Sequence, residues 1–173
     1  MNDAETTLGP VQLLVLGFAE PEFKGHIRQQ LDRLRKSDVI RLIDMIVVRK
    51  DAGGDIEALQ QSDLSADEAE AFGAYAGALI GLGAAGDDGV EMGAALGAAA
   101  GEDGHLIDED QVWYIADAIP ENTAAAVALI EHVWAIPLRE AIVEAGGVLL
   151  ADSWIHPGDL AAIGLTAAAE IGA

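Results

Sequence analysis

Residues 73–101 read GAYAGALIGLGAAGDDGVEMGAALGAAAG, and their spacing decides how the middle of the chain folds. Glycine recurs at Gly73, Gly77, Gly81, Gly89, Gly93, Gly97 and Gly101, with Ala85 filling the one gap in the series. Residues four apart share a helix face, so the stretch predicts helices with a stripe free of side chains. Inside a helix glycine costs roughly 1 kcal/mol relative to alanine. Propensity therefore does not explain the repeat, whereas close approach of another backbone does. The turn residues 86–89 (GDDG) divide the series into an antiparallel hairpin. Its first helix starts at Ser65, which forms a capping box with Glu68, and runs to about residue 85; the second runs to about residue 100. Asp108 is read as the cap of a third helix that turns Val112, Ile115 and Ile119 inward and ends before Pro120.

On either side of this insert the chain has a strand–helix–strand pattern. Residues 11–19 (VQLLVLGFA) predict a strand, and Pro21 opens a helix whose Phe23, Ile27, Leu31 and Leu34 form one apolar face. A second strand follows at 39–50 (VIRLIDMIVVRK), and Gly53-Gly54 turn the chain into a short antiparallel strand at 55–60. The pattern repeats at 124–133 (AAAVALIEHV), where Pro137 opens a helix on Leu138, Ala141, Ile142 and Ala145. Gly146-Gly147 then act as its C-cap, residues 148–155 (VLLADSWI) predict another strand, and a terminal turn falls at about 159–163.

Two βαβ units predict an α+β fold, a ferredoxin-like plait with an inserted glycine-rich helical hairpin. The corresponding division is a discontinuous core at 8–62 and 121–164, a helical insert at 63–120, and flexible termini at 1–7 and 165–173. Right-handed crossovers place both proline-started helices on one side of the sheet. The strands are apolar on both faces: Leu13 and Val15 against Leu14 and Leu16, Leu42 and Ile46 against Ile43 and Met45. A sheet with one solvated face alternates instead, so the second face needs a cover, either the insert or a second subunit's sheet.

At 173 residues with 51% hydrophobic and 5% aromatic side chains, the chain is long enough for one domain with a core. Thirty acidic against nine basic residues give a net charge of −21, and no lysine or arginine lies between Lys50 and Arg139. Such a surface repels phosphate backbones and anionic headgroups, which argues against nucleic acid and membrane surfaces as partners. Absence of cysteine removes disulfides, thiolate metal sites and thiol catalysis. The start Met1-Asn2-Asp3-Ala4-Glu5 carries no basic and apolar leader, so the cytoplasm is the expected compartment. Small-xxx-small spacing also occurs in membrane helices. Here the apolar run at 71–86 falls short of the roughly 20 residues a span needs, which disfavours a membrane without removing it.

Chemical signals are sparse. Gly81-Leu82-Gly83-Ala84-Ala85-Gly86 matches G-x-G-x-x-G, but Asp87 and Asp88 stand where a pyrophosphate would bind. His132, Trp134, Trp154 and His156 are the candidate ligand rim. In a plait the last two strands run the same way, one strand apart, and bring their ends within about 10 Å. Asp44, Glu131 and Asp152 lie within predicted strands and could form an acid–base pair if buried together. The turn acids Asp87-Asp88 and Glu102-Asp103 lack calcium-loop register. These residues assign no catalytic group, cofactor or metal.

Taken together, Gly9-Pro10-Val11-Gln12-Leu13-Leu14-Val15, the glycine-repeat insert, Ala116-Asp117-Ala118-Ile119-Pro120, Ala128-Leu129-Ile130-Glu131-His132 and Ala145-Gly146-Gly147-Val148-Leu149 resemble a bacterial family without assigned function. That family is related to the domain of unknown function twelve-sixty-nine. The resemblance spans about residues 8–164. It implies no catalytic residues, and some relatives are membrane-associated or stress-related. The leading expectation is a non-enzymatic, cytoplasmic, self-assembling homo-oligomer that presents a glycine-zipper hairpin and an apolar sheet face. The alternatives are a sensor of a small ligand or metal at the His/Trp rim, and a membrane-associated stress protein.

Overall fold

The computed structural model describes residues 8–19, 21–108, 110–151 and 153–162. Its elements in chain order are β1 (Val11–Ala19), α1 (His26–Lys36), β2 (Arg41–Lys50), β3 (Ile56–Gln61), α2 (Ala66–Ala85), α3 (Asp87–Ala100), α4 (Gln111–Ala118), β4 (Thr123–Glu131) and α5 (Ala135–Glu144). One unit of the chain reaches to Leu138 and a second begins at Arg139. In the first, the four strands form one antiparallel sheet in the order β1–β4–β2–β3, so the fold is α+β. The crossover β1–α1–β2 leaves a gap of one strand, and β4 fills it.

Register assigns side chains to the two faces, because opposed residues point the same way. Val15, Val127, Ile46 and Gln60 are opposed across the sheet and share one face. On that face Ile46 and Val48 pack with Ala116 of α4, ringed by Ile107, Val112, Ile115 and Ile119. On the other face Leu42, Ala128 and Ile130 pack with Ile40, joined by Leu14, Leu31, Val39 and Met45. Thus the third predicted helix covers part of the second apolar face, with Val112, Ile115 and Ile119 inward as its spacing suggests. Lys50 Nζ donates to the Ala116 carbonyl at 3.2 Å and closes the C-terminal end of α4.

Several sequence expectations need correction. Pro21 does not open α1. Gly25, at φ +80°, interrupts the chain there, and the helix starts at His26. Phe23 instead meets Phe18 edge-on, with ring centroids 5.3 Å apart. The 86–89 turn contracts to Gly86 alone, at φ +63°, and α3 begins directly at Asp87. Asp87 and Asp88 then lie in the first turn of a helix, where its dipole favours negative charge. The third helix is capped from Asp110 rather than Asp108, whose Oδ1 accepts the Asp110 amide at 2.8 Å. The predicted strand at 148–155 is absent among the described residues. In a plait that strand would run one strand away from β4, along the outer edge of β1, and no described strand pairs there. The plait's second βαβ unit is therefore not formed among the described residues. Within the second unit, Gly146 at φ +77° ends the helix, and Leu149 and Leu150 are exposed. The predicted termini at 1–7 and 165–173, and Asp152, lie outside the described residues.

Candidate functional site

The seven stripe glycines come together within one chain. A Cβ built on Gly73 would overlap the Gly97 carbonyl oxygen, and one on Gly97 would overlap that of Gly73. The same reciprocal overlap joins Gly77 with Gly93 and Gly81 with Gly89. Gly101 meets the backbone of Ala69, and Gly89 also meets Ala85 Cβ. Each pair is symmetric about residue 85, so an antiparallel hairpin turning there matches stripe to stripe along its length. Glycine hydrogens on one helix point at carbonyl oxygens of the other, a Cα–H···O geometry worth about 0.5–1 kcal/mol per contact. The G-x-G-x-x-G match lies inside this hairpin, helical through Ala85, and not at a strand-to-helix turn.

The carboxylates Asp44 and Glu131 are both buried but do not form an acid–base pair, because each is held by its own partners. Asp44 Oδ2 accepts the backbone N–H groups of Leu106 and Ile107, both at 2.7 Å. Its Oδ1 accepts the Met45 amide at 2.8 Å and lies 3.0 Å from His105 Nδ1. Gln60 Nε2 bridges Asp44 and the Ile107 carbonyl. Asp44 thus fastens the segment before α4 to the sheet. Glu131 accepts the Gly9 amide and Arg41 Nε, each at 2.7 Å.

A polar cleft of about 600 Å³ lies between α1 and the start of β2, lined by Asp32, Arg35, Arg41, Asp63 and Glu131 among others. Arg35 makes a two-pronged pair with Asp63 and a third bond to Asp32 at 3.0 Å. Asp63 Oδ2 also accepts the Leu42 amide at 2.8 Å. Burial pushes the Asp63 carboxyl up, but the Arg35 hydrogen bond, the Leu42 amide and the charges of Arg35 and Arg41 outweigh it and hold it below its ordinary 3.8. The Asp63 bond in turn raises the Arg35 guanidinium. These pairs cross-link α1, β2 and the link into α2. A carboxylate depressed on folding contributes stability fully present above its unfolded value and lost as pH falls through its folded value. Asp63→Asn should therefore flatten the loss of stability below about pH 4, read from urea melts on descending pH. An unchanged acid limb would refute this assignment.

No protein-family profile, curated protein or solved structure matches this chain.

The His/Trp rim is brought together only in part. His132 and Trp134 meet edge-on at 6.4 Å in the first unit, and His132 Nε2 lies 3.1 Å from Gln12 Oε1. Trp154 and His156 belong to the second unit, and the strand expected at 148–155 to bring them to the rim is absent among the described residues. Among the described residues no three His, Asp or Glu side chains converge as metal ligands. None of the described helices is long and apolar enough to cross a membrane. Sequence reasoning missed the Arg35–Asp63 and Asp44–His105 pairs. The signal for the first was available, since eight of the nine lysines and arginines fall within residues 24–50.

Proposed function

We propose that this chain is a non-enzymatic, self-assembling protein of the cytoplasm whose subunits join through the free edge of β1. One observation carries the reading. Among the described residues β1 is a nine-residue edge strand with β4 on one side only, and Leu13 and Val15 on it are 61% and 68% exposed. Natural edge strands are blunted by lysine, proline, bulges or short length. β1 contains neither lysine nor proline, and its pairing to β4 runs without a register shift. Antiparallel pairing of β1 with β1 of a second copy would satisfy its outer backbone groups about a two-fold axis, giving a self-complementary interface. The glycine hairpin serves assembly differently from the sequence expectation. Its stripes close on each other inside the subunit, and the groups it turns outward include Ile80, Met92 and Leu96, all exposed. On this reading the β1–α1–β2 crossover with β4 in its gap is the split βαβ half of a ferredoxin-like plait, with the glycine-zipper hairpin inserted after β3.

Light scattering behind size exclusion should give a mass at least twice the 17.9 kDa of the chain. The double variant Leu13→Lys/Val15→Lys places two charges on the exposed edge and should return the mass to 17.9 kDa with unchanged circular dichroism. A wild-type chain that elutes as a monomer at high micromolar concentration would overturn the proposal.

A further inference from the structure

The face of the sheet opposite α4 holds a second, apolar cavity. Its origin is legible in β4, where Ala124, Ala126 and Ala128 alternate onto the same face as Ile130. Ala126 and Ala128, where larger side chains could stand, leave a trough walled by Leu16 on β1 and Val47 on β2. α1 roofs it without filling it. Leu31 reaches the core cluster, but Ile27 remains 59% exposed one turn earlier. The cavity has a volume of about 590 Å³, within the roughly 300–1,000 Å³ of small-molecule pockets. Its lining runs from Leu14 to Phe18 on β1 and from Ala126 to Ile130 on β4, each about 13 Å of strand, so the space is elongated along the strands.

The mouth of this cavity is unlike the rest of the surface. Glu22, Lys24, His26 and Arg28 line it beside Phe23 and Gly25. Lys24 pairs with Glu22 at 3.1 Å, both well exposed, and Arg28 adds a second cation. Among the described lining residues, two lysine or arginine side chains stand to one carboxylate, the reverse of the balance in a chain with nine basic and thirty acidic residues. Apolar walls with a few polar groups at one end are the usual design of a small-ligand site, and here those groups favour an anion.

We propose that the cavity beneath α1 binds a free long-chain carboxylate, its alkyl chain along the alanine floor of β4 and its head group at Lys24 and Arg28. The elongated apolar volume suits one alkyl chain, and the local excess of cations selects an acid over a neutral or amine-headed analogue. This site does not depend on self-assembly, since its lining residues face the trough and not the outer edge of β1.

The test is a fluorescence titration of the purified chain with cis-parinaric acid and its methyl ester, with dodecylamine read as a competitor of the bound acid. Saturable one-to-one binding of the acid is expected at low micromolar concentration, at least tenfold tighter than that of the ester or the amine. Ala126→Phe fills the trough and should abolish binding. The surface pair Lys24→Glu/Arg28→Glu, which disturbs no core contact, should weaken the acid at least tenfold and leave the ester unchanged. The proposal is overturned if the wild-type chain gives no saturable signal, if acid and ester bind equally, or if Ala126→Phe retains full affinity while folded by circular dichroism. Co-sedimentation with phosphatidylglycerol vesicles in place of binding to the free acid would equally count against it. Should Ala126→Phe lower the oligomeric mass of a chain that binds no probe, a second copy fills the trough and the ligand assignment fails.

Discussion

Gly77→Ala should destabilise the protein, and Gly83→Ala should stabilise it, although both glycines lie in the same helix. Gly77 is opposed by Gly93, and a new Cβ would overlap the Gly93 carbonyl oxygen and lie 3.1 Å from Gly97 Cα. Both obstacles are backbone, so α2 and α3 must move apart, and the matched pairs at Gly73 and Gly81 loosen with them. Overpacking of this kind costs about 1–3 kcal/mol, against the gain of about 1 kcal/mol that alanine brings to an unconstrained helix position. Gly83 has nothing within 4 Å of the position a Cβ would take. The same substitution there should raise stability by about 0.5–1 kcal/mol. Urea melts of the two variants check the pair. A shift of the same sign in both would mean that the helices do not pack through their glycines. Gly77→Leu should go further and separate the hairpin, seen as lost helical circular dichroism with the sheet signal retained.

Asp44→Ala should be the most damaging single change in the sheet. Three backbone N–H groups, those of Met45, Leu106 and Ile107, converge on this carboxylate along with Gln60 and His105. Asp44 itself is fully buried. Each buried donor left without a partner costs about 1–3 kcal/mol, and breaking a buried polar pair typically costs about 3–5 kcal/mol. A loss in that range is a large share of the roughly 5–15 kcal/mol that holds a domain together. Because the carboxylate fixes the segment leading into α4, the damage should spread to the packing of Ile107 and Ala116 on Ile46 and Val48. Chemical denaturation should show the drop, and brief proteolysis should cut the variant near residues 101–110. His105→Ala, which removes one partner from a side chain still bonded to three amides, should cost far less. Equal losses in the two variants would argue that the histidine, not the carboxylate network, anchors the segment.

What could be read in advance follows from how local each feature is. The glycine stripes were legible because a four-residue period is a property of a single helix, and the symmetry of the repeat about Ala85 pairs the two arms. The inward face of α4 was legible for the same reason. The place of β4 between β1 and β2 agrees with the strand–helix–strand reading, since a plait puts its third core strand in that gap. The fate of VLLADSWI was not legible, because it is apolar enough for a strand, yet its described residues pair with none. The start of α1 was misplaced because Pro21 is a helix-opening signal in isolation, whereas Gly25 in the left-handed region overrides it four residues on. Asp44 could be recognised as a carboxylate within a strand. Its role could not, because His105, Leu106 and Ile107 lie more than sixty residues away in the chain. The alanines of β4 were read as strand formers, and the trough they leave depends on where α1 comes to rest.

Were α3 to slip by a single helical turn along α2, Gly73 would face Gly93 and Gly77 would face Gly89, so smooth surfaces would meet smooth surfaces once more. The stripes thus act like a ratchet with evenly spaced stops, indifferent to which notch is engaged. The choice of notch falls to the abrupt reversal at Gly86, one residue long, which leaves no slack for sliding.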